Sequence, residues 1–320
     1  FTARAVYTNN PYSGAFRGYG NPQGTFANEQ QMDELAALAG IDPVDLRLLN
    51  CNEPNTVTPQ KFRVTSCGLR QCIETCRDRV GFGKRKKPYE GVGMASMFHV
   101  GGGGRVYKSD GCGVIAKLDD FGHLVLMTGA TEIGTGSDTA MAMIAAEELG
   151  IHLDDVSVIN DDTDVGPWDV GIHASRTTFI AGNATLMAVR EIKDQLASVA
   201  AEKLGCSADA LLWHSGAIWC ASDLDRSIAV DKLVRSMHFR EKGTMMVGRG
   251  FYDPPNEFQN PDMTGNVSAT YAFATHACRV RVDPETGRVT IVKFVAAHDV
   301  GRVINRSGLD GQIEGAIAQG

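Results

Sequence analysis

Apolar positions along the chain switch between a period of two and a period near 3.6, and the switches define the predicted elements. Residues 1–8 alternate polar and apolar and read as a strand closed by an Asn9-Asn10-Pro11 turn. A glycine-rich stretch from Ser13 to Gly24 precedes a helix around Glu29–Ala39. Asp42-Pro43 supplies an N-cap and a first-turn proline for a helix to about Asn50. A third helix covers roughly Leu69–Val80, and Gly81–Glu90, with its Lys84–Lys87 basic run, reads as a solvated linker. Strands follow near Gly91–His99, Gly113–Leu118 and Leu124–Thr128, the last two joined by an Asp119–Gly122 hairpin turn. The helix Asp138–Leu149 is apolar at Met141, Ile144, Ala145 and Leu149; a strand Val156–Asn160 and a helix Asn183–Leu204 come next. A strand Ala217–Cys220, a helix Val230–Phe239, a strand Thr244–Tyr252, a hairpin of Thr270–Val282 with Val289–Asp299, and a helix from near Gly308 complete the pattern. Strands and helices alternate without a regular βαβ period, so the expected class is α+β.

Composition narrows this picture. The 320 residues are 43% hydrophobic and 22% charged, as in ordinary globular domains. A net charge of −7 with no basic stripe argues against nucleic acid as the main partner. No apolar run reaches the roughly 18 residues of a membrane span. Eight cysteines scattered over this length do not form the dense framework of a small secreted protein, and reduced thiols in a cytoplasmic protein are the expectation. The chain opens on Phe1-Thr2-Ala3-Arg4 and closes inside a helical pattern, so it reads as a piece of a longer polypeptide.

Glycine is over-used, at 36 residues, and two of its clusters precede helices. Gly129-Ala-Thr-Glu-Ile-Gly134-Thr135-Gly136-Ser137 offers small residues and backbone N–H groups where a helix starts, an arrangement that suits an anion. His173-Ala174-Ser175-Arg176-Thr177-Thr178 offers hydroxyls and a guanidinium ahead of the next helix. With the Ser13–Gly20 loop, these segments point to a polyanionic or pterin-like ligand. The third glycine of a dinucleotide fingerprint is missing and no Gly-Lys-Ser/Thr occurs, which disfavours a plain nucleotide-binding enzyme.

The motifs resemble those of one family. Phe16-Arg17-Gly18-Tyr19-Gly20-Asn-Pro22-Gln23 resembles the Phe-Arg-Gly-Phe/Tyr-Gly-x-Pro-Gln signature of the molybdenum subunits of xanthine oxidase-type hydroxylases. Glu132–Gly136, Ala174–Arg176 with Gly182-Asn183-Ala184, His298–Gly301 with Asn305, and Gly311-Gln312-Ile-Glu314-Gly315 follow in family order. The resemblance implies two elongated α+β lobes of a molybdenum-cofactor-binding domain. Residues 1–83 would be the end of the first subdomain and residues 84–320 a second one lacking its C-terminal part. It implies that Gly134, Thr135 and Gly136 hold the pterin. Ala174, Ser175, Arg176 and Thr177 would touch the pyranopterin, its phosphate or the molybdenum ligands, and Gln312 would reach the dithiolene side. Phe16 and Arg17 would border the metal as catalytic positions, and Tyr19 would stack on a flat substrate.

The implied activity is hydroxylation of an aromatic, N-heterocyclic or aldehyde carbon with water-derived oxygen, or reductive dehydroxylation. The implied cofactors are molybdopterin, possible in its cytosine dinucleotide form, with 2Fe-2S clusters and FAD on partner chains. The other partners would be the rest of the molybdenum subunit and a small aromatic or CoA-thioester substrate. Three departures stand out: Thr135 replaces the usual Gln, Arg176 replaces a small apolar residue of the purine oxidases, and the glutamate motif expected for the catalytic base is not in this chain. Arg176 and Glu257-Phe258-Gln259 look closest to 4-hydroxybenzoyl-CoA reductase, with Arg176 also resembling nicotinate dehydrogenase subunits. The missing glutamate leaves a second reading, a non-catalytic cofactor-binding chain that completes its site only with a partner. Cys67, Cys72 and Cys76 read as buried thiols, not metal ligands; His173 and His298 as hydrogen-bonded loop histidines; Gly101–Gly104 as a turn.

Overall fold

Alternating burial in Cys112–Leu118 and Leu124–Thr128 builds the sheet on which the larger part of the molecule is founded. The computed structural model describes residues 4–84, 87–103, 108–240 and 243–320, and the predicted Gly101–Gly104 turn and Lys84–Lys87 linker fall partly outside these residues. Two compact units are interleaved along the chain: residues 1–56, 64–99 and 272–299 in one, residues 57–63, 100–271 and 300–320 in the other. The sequential division at 83/84 expected from the family follows the chain, whereas these units exchange segments, because the β-hairpin at 272–299 pairs with the strand before residue 100.

In the first unit, helices α1 (Asn21–Ala39), α2 (Pro43–Asn50) and α3 (Leu69–Val80) accompany strand β3 (Glu90–Val100). Two short strands, β1 (Thr56–Val57) and β2 (Arg63–Val64), pair with each other between α2 and α3. Residues 4–16 carry no regular structure and are exposed, so the strand expected there does not form. α1 starts earlier than its apolar pattern, at Asn21, whose side-chain amide donates to the Phe98 carbonyl at 2.8 Å. Asp42 caps α2 as the sequence indicates, accepting from the N–H groups of Val44 and Asp45. Buried Arg47 locks α2 to α1 through Glu29 and Asp33 at 2.8 and 2.7 Å.

The second unit begins with β4 (Cys112–Leu118) and β5 (Leu124–Thr128), joined by the predicted hairpin turn. Then come α4 (Ser137–Leu149), β6 (Val156–Ile159), α5 (Thr177–Leu204), and β7 (Leu211–His214), β8 (Ala217–Cys220) and β9 (Asp223–Ala229), which form a small antiparallel sheet. α6 (Val230–Arg240) and β10 (Val247–Tyr252) follow. β11 (Tyr271–Val282) and β12 (Val289–Asp299) return the chain to the first unit, in the order β12-β11-β3, and α7 (Arg306–Gln319) ends it.

The main sheet has the order β10-β4-β5-β6; β10 and β4 and β4 and β5 pair antiparallel, but β6 runs parallel to β5, with Leu124 opposite Val156. β5-α4-β6 is therefore one βαβ unit inside an α+β fold. α5 begins six residues before its predicted start, at Thr177, because tertiary packing overrides the weak helix propensity of its threonines and Gly182. A β-carbon at Gly182 would sit 3.0 Å from Ile144 of α4, so this glycine sets how near the two helices approach. α5 buries Ile180, Val189, Ile192, Leu196 and Leu204 against the sheet, each worth about 1.5–3 kcal/mol of gross apolar transfer. Among the described residues no helix is long and apolar enough to cross a membrane.

The backbone of α5 comes so near β10 that a β-carbon at Gly248 or Gly250 would run into the carbonyl oxygens of Ala188 and Ala184. Gly250→Ala is expected to lower unfolding free energy by about 1–3 kcal/mol, the cost of overpacking, seen as a reduced urea midpoint with an unchanged m-value.

Candidate functional site

The parallel pair fixes where the two glycine- and hydroxyl-rich loops meet. One leaves the carboxyl end of β5 and enters α4; the other leaves the carboxyl end of β6 and enters α5. The start of β4 and the end of β10 lie at the same edge, since Cys112 pairs with Tyr252 and Val114 with Thr128. Open sheets place ligands outside the carboxyl ends of parallel strands. Asn160, the first residue after β6, ties the loops together: its amide donates to the Ala130 carbonyl at 3.3 Å and to the Asp138 carboxylate.

Arg176, the N-cap residue of α5, is fully buried at this edge. Its Nε donates to Asp110 Oδ1 at 2.8 Å and its Nη1 to Asp169 Oδ2 at 2.8 Å and to the Gly171 carbonyl at 3.0 Å. Nη2 donates to the carbonyls of Asp110 and Gly111. All five guanidinium N–H groups are taken by protein oxygens, so none is left for a ligand. In this fold the Arg176 side chain is turned inward and supports the loop from beneath. Asp110 and Asp169 are as buried as the arginine, and each carboxylate also accepts a backbone N–H, from Gly103 at 2.8 Å and Gly171 at 2.7 Å. Gly102 passes directly over the cluster at φ +94°, with its would-be β-carbon 3.3 Å from the Arg176 Cβ. Close approach, more than turn formation, accounts for Gly101 and Gly102.

With its anchor fixed, the loop above it adopts an unusual backbone. Ala174 and Ser175 both have positive φ, 48° and 56°, a costly conformation for two successive residues with side chains. Ser175 is exposed and Thr177 half-buried. His173 carries a buried Nε2 with no hydrogen-bond partner, 3.9 Å from Asp110 Oδ1, which differs from the hydrogen-bonded histidine expected there. His298 lies on β12, not in a loop, and its Nε2 is 2.8 Å from that of His276. Burial and then the neighbouring His298 hold His276 down at about 4.

The turn before α4 is closed by the chain itself. One oxygen of Glu132 accepts from the N–H groups of Gly134 at 2.6 Å, Thr135 at 2.5 Å and Gly136 at 3.1 Å; the other accepts from the Ser137 hydroxyl at 2.9 Å and more weakly from Asp138 N–H. Burial would raise this carboxyl, but the hydrogen bonds from Ser137, Thr135, Asp138 and Gly136 outweigh it and hold the group down at about 2. The donors that the sequence assigned to an external anion are therefore used internally. α7 lies alongside, and the Gln312 amide donates to the Gly134 carbonyl at 3.4 Å.

The structure thus brings Gly134, Thr135, Gly136 and Gln312 together and sets Ala174, Ser175 and Thr177 on the neighbouring loop of the same sheet edge. Phe16, Arg17 and Tyr19 belong to the first unit, on an exposed turn where Tyr19 N–H donates to the Phe16 carbonyl at 2.8 Å. Phe16 is 63% and Tyr19 73% exposed. Asp110, Asp169 and Asn160 went unnoticed in the sequence. A buried arginine demands carboxylates, but Asp110 lies 66 residues away, beyond any local spacing rule. The first unit also holds a groove of about 810 Å³, lined among others by Cys72, Arg79, Lys293, His298 and Asp299. Cys72 and Cys76 are buried and pushed up to about 11 by that burial, as expected of inert thiols, while Cys67 is half-buried. No group of three or more possible metal ligands occurs among the described residues.

These residues suit a pterin ligand at the rim. The α-carbon of Gly134, at φ +93°, faces open space, Thr135 and Ser175 are exposed hydroxyl residues, and the buried Nε2 of His173, next to Ala174, has no hydrogen-bond partner. They do not offer it the helix N-terminus or the Arg176 guanidinium.

Comparison with known proteins agrees with this chemistry. The molybdopterin cofactor-binding domain family matches residues 73–320, and a second domain family of the same description matches residues 1–51. The xanthine dehydrogenase molybdenum-binding subunit of Escherichia coli O157:H7 is 30% identical over 339 aligned residues, covering 100% of this chain and 42% of its own length. A probable xanthine dehydrogenase subunit of Bacillus subtilis is 31% identical, over 98% of this chain and 41% of its own. Among solved structures, an aldehyde oxidoreductase from Desulfovibrio desulfuricans superposes with a TM-score of 0.75 at 26% identity, over 95% of this chain and 31% of that one. Carbon monoxide dehydrogenase shares the fold, with a TM-score of 0.80 at 24% identity over 93% of this chain and 39% of that one. The chain belongs to the molybdopterin cofactor-binding domain family of xanthine oxidase-type proteins. It spans about two-fifths of the length of the Escherichia coli and Bacillus subtilis relatives.

Two outcomes are expected. Arg176→Ala leaves two buried carboxylates unpaired and should cost about 3–5 kcal/mol in urea unfolding, with Asp169→Asn close behind. Because the Glu132 carboxyl is lowered in the fold, its stabilisation is complete above the ordinary value of 4.5 and is lost as pH falls towards about 2. Amide exchange at Thr135 and Gly136 should therefore remain slow at pH 5, whereas Glu132→Gln should make it fast at pH 7.

Proposed function

We propose that this chain is the molybdopterin-holding part of an oxidoreductase acting on an aromatic, N-heterocyclic or aldehyde carbon. The observation that carries the proposal is the meeting of the Gly134–Gly136 turn, Gln312 and the Ala174–Thr177 loop at one sheet edge, over a buried ion cluster. The molybdenum cofactor, when bound, supplies the two-electron chemistry. The chain's own residues bind and orient. Gly134 and Gly136 let a flat ring lie against backbone, and the Gln312 side chain, whose amide donates to the Gly134 carbonyl, borders the same turn. Thr135, Ser175 and Thr177 supply hydroxyls, and Ala174 supplies backbone only. Arg176 and its two aspartates hold the loop in its strained shape, a positioning role. Phe16, Arg17 and Tyr19 are assigned to the substrate side, with Tyr19 orienting a planar ring at small entropic cost.

The finer assignments follow from the family resemblance. The complex would be cytoplasmic, with an iron–sulfur chain, an FAD chain and the remainder of the molybdenum subunit as partners, and the pterin could carry a cytosine nucleotide. Among substrates, a CoA-thioester phenol of the kind that 4-hydroxybenzoyl-CoA reductase dehydroxylates is favoured by Arg176 and by the Glu257-Phe258-Gln259 segment. In the fold Glu257 pairs with Arg63 at 2.5 Å, a contact that orders this segment.

Metal and pterin analysis of the natively purified complex tests the proposal: stoichiometric molybdenum with a releasable pterin is expected, and absence of both rules it out. Ser175→Ala and Gln312→Ala should each lower cofactor retention by about ten-fold while leaving the urea midpoint unchanged. Full cofactor with no turnover on any aldehyde, N-heterocycle or phenolic thioester would instead favour a non-catalytic cofactor-binding chain.

A further inference from the structure

His173 opens the loop that ends at Arg176, and the protein leaves its imidazole unsatisfied. The backbone around it is fixed. The His173 carbonyl accepts the Arg176 N–H at 3.2 Å, and the Ala174 carbonyl accepts the Gly102 N–H at 2.8 Å. The ring Nε2 is buried without a hydrogen-bond partner, 3.9 Å from Asp110 Oδ1. That oxygen takes the Arg176 Nε–H at 2.8 Å, while the Gly103 N–H goes to Oδ2. A carboxylate oxygen has lone pairs for two donors, so Oδ1 has room for one more.

Charge decides which ring nitrogen carries the proton. Asp110 and Asp169 are buried against one guanidinium, so these three groups hold one negative charge in excess. A bare nitrogen lone pair turned to that carboxylate is repelled, and an N–H is attracted. The proton of the neutral ring therefore belongs on Nε2, which leaves Nδ1 as an acceptor. Of the two nitrogens only Nε2 is both buried and unpaired, and the side chain as a whole is 36% exposed. Nδ1 is thus the nitrogen that a ligand can reach.

We propose that His173 is a further binding residue of this site, holding its proton towards Asp110 and offering Nδ1 as an acceptor to an N–H of the bound heterocycle. The proposal rests on the pterin reading given above. A pterin ring system carries ring N–H and amino donors along its edge, and those donors need acceptors. The backbone N–H groups of Gly134, Thr135 and Gly136 cannot serve: they are donors, and Glu132 already takes them. An inward ring shift of about 1 Å on binding completes the Nε2–H bond to Asp110, which satisfies the buried nitrogen and keeps the acceptor turned outward. Because the buried carboxylate fixes the tautomer, the position accepts a donor edge and rejects a bare ring nitrogen.

Two near-isosteric substitutions separate the two nitrogens. His173→Asn keeps an acceptor near the Nδ1 position and loses the group at Nε2, whereas His173→Gln keeps a donor near Nε2 and loses the acceptor. In the natively purified complex, His173→Gln should lower pterin and molybdenum content about ten-fold, and His173→Asn should retain most of both. If His173 only supported Asp110, the order would be reversed. That reversed order, or equal content in the two variants, overturns the proposal. A wild-type complex that holds neither pterin nor molybdenum overturns the reading on which it rests. Diethyl pyrocarbonate, which acylates unprotonated imidazole nitrogens, tests the wild-type chain without substitution. Peptide mapping should find His173 modified in complex produced without molybdopterin and protected in the loaded complex; equal modification in both also overturns the proposal.

Discussion

The second unit is organised around a buried cation. The charge of this fully buried guanidinium must be matched inside the protein, and Asp110 and Asp169 do this from two different loops. The arrangement works only where the start of β4, the exit of β6 and the N-terminus of α5 come to one edge. That convergence is what the parallel β5–β6 pair provides. Strain in the Ala174-Ser175 backbone is tolerable because the guanidinium of the residue that follows donates to carboxylate and carbonyl oxygens on every side. Remove the cation, and both the carboxylates and the loop conformation lose their support together.

Close backbone approach is the second constraint. Gly248 and Gly250 on β10, Gly182 on α5 and Gly102 over the arginine each stand where a side chain would collide with a neighbouring element. The glycine excess so plain in the composition thus splits between the loops at the sheet edge and tight packing, and the sequence alone does not tell these uses apart.

Much of the fold could be read from the chain. The third helix, the hairpin turn at Asp119–Gly122, the capped second helix and the long β11–β12 hairpin lie where periodicity and turn chemistry put them. The misses have physical causes. The alternation in residues 4–8 has no partner strand among the described residues and forms none. Helix α5 starts ahead of its apolar pattern because Arg176 fixes its first turn from the tertiary side. The glycine- and hydroxyl-rich segments were legible as loops, and their family order as a motif series. What was hidden was direction: a guanidinium aimed inward at two buried aspartates and a glutamate folded back on its own turn look, in sequence, like groups offered to a ligand.

That inward-folded glutamate bears on how a cofactor would be received. In ligand sites built on bare helix termini, the anion itself orders the loop, and the free protein must find the shape anew with each binding event. Here the Glu132 carboxylate takes that role permanently, and the ordering entropy of the turn is spent during folding, before any ligand arrives. The receptor is cast in advance. A turn so fixed can recognise a large prosthetic group by its outline.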